Sequence, residues 1–124
     1  MATILLVDDH DSQRELYELA LRHAGFVVHE AEDGEHAIES VRRAKPDVIV
    51  LDLAMPKLDG LEVCRRLKAD PETRAIPIIV VTAHILPGLR ESVERAGGDA
   101  YLTKPCLSDK LIATVRQHLE RAVA

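Results

Sequence analysis

Five short apolar runs set the frame of this chain: Ile4 to Val7, Phe26 to Val28, Val48 to Leu51, Ile78 to Val81 and Ala100 to Leu102. They are continuous rather than alternating and rich in β-branched residues, which fits strands covered on both faces. The second run passes into His29, Glu30 and Ala31, which alternate in polarity, and reads as an edge strand. Between the runs lie stretches with apolar residues at three- and four-residue spacing, the mark of amphipathic helices. Leu16, Leu19, Ala20 and His23 trace the inner face of the first; Ala37, Ile38, Val41 and Ala44 that of the second; Val63, Cys64 and Leu67 that of the third. A weaker fourth runs through Leu89, Val93 and Ala96, and the fifth, with Ser108 as N-cap, through Leu111, Ile112, Val115 and Leu119. Asp59-Gly-Leu-Glu62 predicts a capping box at the start of the third helix. Gly25, Lys45-Pro46, Gly60, Pro77 and Gly97-Gly98 punctuate the boundaries.

Strands alternating with helices predict βαβ units, hence an α/β fold with a parallel sheet and helices on both faces. Such a sheet brings the carboxyl ends of its strands to one edge, where ligands bind in this architecture. The residues that close the runs are Asp8 and Asp9, Asp52, Thr82 and Lys104. Taken singly, each has a plain alternative: Asp9 or Asp11 as a helix cap, Thr82 as an ordinary strand residue, Lys104 as a solvated lysine. Taken together, four strand ends agree. Carboxylates about 5 Å apart at an effective dielectric of about 20 repel by about 3 kcal/mol per pair, so this edge requires a positive partner.

Composition narrows the function classes. With 124 residues the chain fits one domain with a real core, supplied almost wholly by aliphatic side chains because there are one Phe, two Tyr and no Trp. A net charge of −5 argues against direct binding of nucleic acid or of an anionic membrane and favours a cation or a basic partner. Cys64 and Cys106 form neither a disulfide framework nor a metal-ligand spacing, which points to a reducing compartment. No basic start, cleavage site or long apolar stretch is present, and a cytoplasmic location is expected.

The segments I-L-L-V-D-D, D-V-I-V-L-D-L-A-M-P-K-L-D-G, I-P-I-I-V-V-T-A and A-Y-L-T-K-P resemble the receiver domain of two-component response regulators over essentially the whole length. The resemblance implies one receiver domain over residues 1–124, with a flavodoxin-like (βα)5 sandwich and a five-stranded sheet ordered 2-1-3-4-5. It also implies a phosphorylation-dependent switch rather than an enzyme with conventional turnover. The phosphoryl group would come from a histidine kinase or a histidine phosphotransfer protein, and the output would be a target protein or a fused output domain.

By the same resemblance Asp52 is the phosphoacceptor and Lys104 and Thr82 complete the reactive set. Asp9, Asp52 and the Ala54 backbone carbonyl would hold Mg²⁺, with Asp8 acting through metal-bound water, and Mn²⁺ could substitute. Thr82 and Tyr101 form the switch pair, and the Lys104–Pro105 peptide is cis. The chemistry is coherent: a carboxylate is a weak nucleophile that forms an aspartyl phosphate only if the incoming charge is neutralised. Hard oxygen ligands suit magnesium. Phosphate on Asp52 would attract the Thr82 hydroxyl, let Tyr101 rotate, and shift the surface of the fourth helix, fifth strand and fifth helix.

Other residues read more plainly. The resemblance implies that Ala54 and His84 occupy positions that border the path of attacking water, and His84 itself reads as a solvated loop residue. His10 beside the two aspartates suggests zinc, but without further histidines or cysteines at the matched strand ends it reads as an early helix residue. His23 reads as a packed histidine, Cys64 as core filler, Cys106 as a residue near the functional edge, and Arg90, Glu91, Glu94 and Arg95 as a solvated face. The acidic tandem that helps pair many DNA-binding regulators is broken here, as Asp99 precedes Ala100, which weighs against that dimer. The spacing from Lys68 to Pro77 resembles single-domain and cyclase-linked members. Two alternatives stand beside the switch: a haloacid-dehalogenase-type aspartyl phosphatase, which wants D-x-D where this chain has D-D-H, and a flavodoxin-like redox carrier, whose flavin would find few aromatics.

Overall fold

The computed structural model describes residues 2–8, 10–53, 59–83, 87–104, 106 and 108–123, with side chains through residue 120. The strands are β1 (Thr3–Val7), β2 (Val27–Ala31), β3 (Val48–Leu51), β4 (Ile78–Thr82) and β5 (Ala100–Thr103). The helices are α1 (Asp11–His23), α2 (Gly34–Ala44), α3 (Gly60–Ala69), α4 (Leu89–Ala96) and α5 (Ser108–Val123). All strand pairs are parallel in the order β2-β1-β3-β4-β5, as expected, with β2 at one edge.

Alternation along the three central strands divides the core. Leu5, Val7, Ile49, Leu51, Ile78 and Val80 face α2, α3 and α4 through Val41, Val63, Leu67 and Val93. Ile4, Leu6, Val48, Val50, Ile79 and Val81 face α1 and α5 through Tyr17, Leu21, Leu111 and Val115. Each strand is therefore apolar on both sides, which is why the runs are continuous.

Local signals place the helices. Asp33 caps α2 by accepting the His36 N–H at 2.8 Å, and Asp59 caps α3 by accepting the Glu62 N–H at 3.0 Å. Only half of the expected capping box forms, because the Glu62 carboxylate turns to Arg65 and Arg66 instead. Ser108 is the first residue of α5 and not its cap, so the cap position falls on residue 107, outside the described residues.

The inner face of α1 differs from the sequence expectation. Tyr17 and Leu21 are buried, whereas Leu16 and Leu19 are 60% and 70% exposed and His23 is exposed. Apolar residues run nearly without break from Leu16 to Leu21, so three- and four-residue spacing describes two faces equally well. Docking chose between them: the Tyr17 hydroxyl donates to the Cys106 carbonyl at 3.1 Å, which turns that face to the sheet.

The segment between α3 and β4 is pinned by Lys68 and Asp99. Lys68 Nζ donates to the carbonyls of Arg74 and Ile76 at 3.1 and 2.9 Å and to Asp99 Oδ2 at 2.8 Å. The same Asp99 oxygen accepts the Ile78 N–H at 2.8 Å. Asp99 is thus committed inside its own chain at the start of β4.

Candidate functional site

Register decides where the acids go. Val7 pairs with Leu51, so the next residues, Asp8 and Asp52, leave adjacent strands side by side. Backbone hydrogen bonds extend the ladder by one step: Asp8 N–H donates to the Ala31 carbonyl at 3.2 Å and Asp52 N–H to the Val7 carbonyl at 3.0 Å. Both aspartates are buried, at 2% and 5% exposure. Lys104 follows β5, tied to β4 by its N–H to the Thr82 carbonyl at 2.8 Å. From there its side chain crosses the edge and places Nζ 3.2 Å from Asp8 Oδ2 and 3.2 Å from Asp52 Oδ2.

The ammonium is the positive partner that the strand ends demanded. At an effective dielectric of about 20, each contact is worth about 5 kcal/mol of gross attraction before desolvation is counted. Asp8 and Asp52 thus present carboxylate oxygens side by side in a buried place. A hard, oxygen-rich donor set of that kind fits a divalent cation of the magnesium type.

Three residues of the β1–α1 junction complete the arrangement. Gln13, on the first turn of α1, accepts from Lys104 Nζ through Oε1 at 2.6 Å. Arg14 donates from Nη1 to the Asp8 carbonyl at 2.7 Å and from Nη2 to Asp11 at 2.8 Å, clamping the β1–α1 turn. His10, read above as an early helix residue, holds the N-cap position of α1; its N–H donates to Asp8 Oδ1 at 2.9 Å and its ring Nδ1 lies 3.6 Å from the same oxygen. Gln13 carries no mark of this role in the sequence, because it reaches Lys104 across the gap between separate elements.

Gly60 explains how the loop after β3 closes. Its N–H donates to the Leu53 carbonyl at 3.0 Å, and a Cβ there would meet Leu53 Cα at 2.6 Å and the Asp52 carbonyl oxygen at 2.8 Å. Only glycine admits this approach.

Thr82 ends β4 fully buried, in register with Thr103. Tyr101 is partly buried on β5, and the Arg90 guanidinium of α4 lies over its ring, 5.1 Å from the centroid. Arg90, read above as part of a solvated face, therefore has a specific contact. Beneath the acids, burial foremost pushes the Tyr17 phenol above its ordinary range, with Cys106 and Asp8 adding to the effect. Burial also raises the Cys106 thiol and pushes that of Cys64 up to about 11. Asp8, Asp52 and Lys104 are thus brought together with Gln13 and His10, while Thr82 and Tyr101 stand on the neighbouring strands. Asp9, Ala54, His84 and Pro105, with the cis peptide expected there, lie outside the described residues.

Comparison with known proteins bears on this arrangement. The family model described as the response regulator receiver domain matches residues 4–116. The response regulator MprA of Mycobacterium leprae is 43% identical over 118 residues, covering 95% of this chain and 51% of its own length. The chain thus spans about half the length of the curated relatives it matches. Among solved structures, the receiver domain of the sensor histidine kinase PA1611 from Pseudomonas aeruginosa PAO1 superposes with a TM-score of 0.89 at 34% identity, covering 96% of this chain and 98% of that one. That structure carries a magnesium ion coordinated in its active site cleft. The chemotaxis protein CheY4 of Vibrio cholerae gives a TM-score of 0.88 at 30% identity, over 94% of this chain and 98% of its own. Fold, strand-end chemistry and these likenesses converge, and the chain belongs to the receiver domain family of two-component response regulators.

Proposed function

We propose that Asp52 is the phosphoacceptor of a switch that takes its phosphoryl group from a histidine kinase or histidine phosphotransfer protein. The observation that supports this most directly is the buried Asp8–Asp52 pair bridged by Lys104 at 3.2 Å on each side. In the transfer an Asp52 carboxylate oxygen forms a bond to phosphorus as the donor's phosphorus–nitrogen bond breaks, and the departing imidazole takes up a proton. At 5% exposure Asp52 receives the group only at the strand edge, so the donor must dock there to deliver it.

Lys104 neutralises the phosphoryl oxygens from one side, and Asp9, Asp52 and the Ala54 carbonyl, with Asp8 acting through water, are the residues that would hold Mg²⁺, or Mn²⁺ in its place. When bound, the ion supplies Lewis-acid neutralisation of the transferring group. Thr82 then engages the new acceptor oxygens and Tyr101 follows, shifting the α4–β5–α5 surface toward a target protein or a fused output domain. The unit is residues 1–124, acting in the cytoplasm as a signalling domain without conventional turnover. Among the described residues no helix is long and apolar enough to cross a membrane. No feature of the described residues favours the phosphatase or the flavin-carrier alternative.

Acetyl phosphate with Mg²⁺ should label the chain, and Asp52→Asn should abolish the label. Equal labelling of the variant would overturn the acceptor assignment.

A further inference from the structure

Asp8 has two oxygens with different neighbours. Oδ2 faces the Lys104 ammonium at 3.2 Å, while Oδ1 faces the backbone N–H of His10 at 2.9 Å and its ring Nδ1 at 3.6 Å. One ligand atom each from Asp8, His10 and Asp52 lie within 4.8 Å of one another. Ligands held about 2.0–2.2 Å from a single ion stand at most about 4.4 Å apart. The three atoms therefore need to draw together by no more than a few tenths of an ångström, and the His10 side chain, 67% exposed, is the outermost of the three.

The donor set is therefore mixed. Magnesium seeks oxygen ligands and keeps its waters, whereas imidazole nitrogen favours the borderline first-row ions, with affinity rising from manganese through cobalt toward zinc and copper. We propose that His10 adds a nitrogen ligand to the acidic pocket, so that Asp8, His10 and Asp52 bind a first-row divalent ion such as Co²⁺ or Zn²⁺. Bound there, the ion competes with Mg²⁺ for the same carboxylates. His10 thereby sets the metal preference of the pocket. The inference rests on the divalent-ion pocket of the proposed function and not on phosphoryl transfer to Asp52.

The test is calorimetric titration of the purified, tag-free chain with Co²⁺ and, separately, with Mg²⁺, alongside the visible absorption of the Co²⁺ form. Replacing His10 by Phe should lower the ratio of Co²⁺ to Mg²⁺ affinity by about tenfold or more, since even outer-shell partners are worth that much. The Co²⁺ spectrum should change with loss of the nitrogen ligand. Asp52→Asn should weaken both ions, which shows that they share the pocket. An unchanged affinity ratio and spectrum in His10→Phe would overturn the proposal, as would Co²⁺ binding that Mg²⁺ fails to displace. Failure of the unaltered chain to take label from acetyl phosphate with Mg²⁺ would strike the acceptor reading alone and leave these titrations standing.

Discussion

Lys104 Nζ lies closer to Gln13 Oε1, at 2.6 Å, than to either carboxylate it bridges, at 3.2 Å. A neutral amide on α1 thus aims the lysine that follows β5 without adding charge to the site. Replacing Gln13 by Leu removes a hydrogen bond to a charged group, worth about 1.5 kcal/mol or more. Labelling by acetyl phosphate should slow by about tenfold, and Gln13→Glu, which restores an acceptor but adds a competing charge, should not restore the rate. Radiolabel incorporation over time measures both, since a chain without Trp offers no indole signal.

Divalent cations should stabilise the fold through the buried Asp8 and Asp52 carboxylates. At a magnesium concentration of about a hundred times Kd the gain is about 2.7 kcal/mol, read as a rise in Tm. Asp52→Asn should remove most of that rise. A scanning calorimeter with and without Mg²⁺ tests it, and an equal rise in the variant would place the ion elsewhere.

Gly60→Ala should damage both the fold and the site. The new Cβ would meet backbone at 2.6 and 2.8 Å, and backbone cannot swing aside as a flexible side chain does. Overpacking of this kind costs about 1–3 kcal/mol. Urea denaturation should show the loss, and labelling at Asp52 should fall more than the loss of folded protein accounts for, because the clash falls on its carbonyl.

Stability should decline in alkali. Burial pushes the Cys64 thiol from an ordinary 9.0 up to about 11, so between these values the unfolded chain releases a proton that the folded chain retains. The folded state then binds more protons, and unfolding becomes easier as pH rises through that window. The raised Tyr17 phenol acts in the same direction. Denaturant midpoints measured from pH 8 to 11 should fall, and Cys64→Ala should show a shallower decline.

Arg90 should bias the ring of Tyr101, the aromatic residue of the proposed switch pair. Its guanidinium over the Tyr101 ring contributes about 0.5–1 kcal/mol to the observed ring position. Arg90→Ala should redistribute the ring, seen as shifted Tyr101 ring resonances in NMR spectra. Resonances identical to those of the unaltered chain would show that the contact carries no bias.

The fold was legible in the chain because its signals are local. Continuous aliphatic runs report strands buried on two faces, and the intervening spacing reports helices, so alternation and parallel pairing follow from the sequence alone. The strand order came through resemblance, since periodicity carries no information about which strand neighbours which. Asp8, Asp52 and Thr82 were legible because each directly follows an apolar run, and Lys104 because it stands two residues beyond the last one. The rotation of α1 was not, since apolar residues on two faces satisfy the same spacing and the choice falls to tertiary contacts, the packing of Tyr17 and Leu21 on the sheet and the bond from Tyr17 to the Cys106 carbonyl.

Tertiary structure alone decided the rest. Gln13, His10 and Arg14 gain their partners from the way the start of α1 lies over the strand ends, and Asp99, though exposed, is held by the Lys68 ammonium and the Ile78 N–H. The amino-acid sequence by itself determined which elements form and which charges reach the sheet edge, because hydrophobic period and strand termination are properties of neighbours along the chain. Which oxygen meets which nitrogen was settled only by packing, because hydrogen bonds act over about 3 Å and residues far apart in sequence reach that distance only once the core has closed.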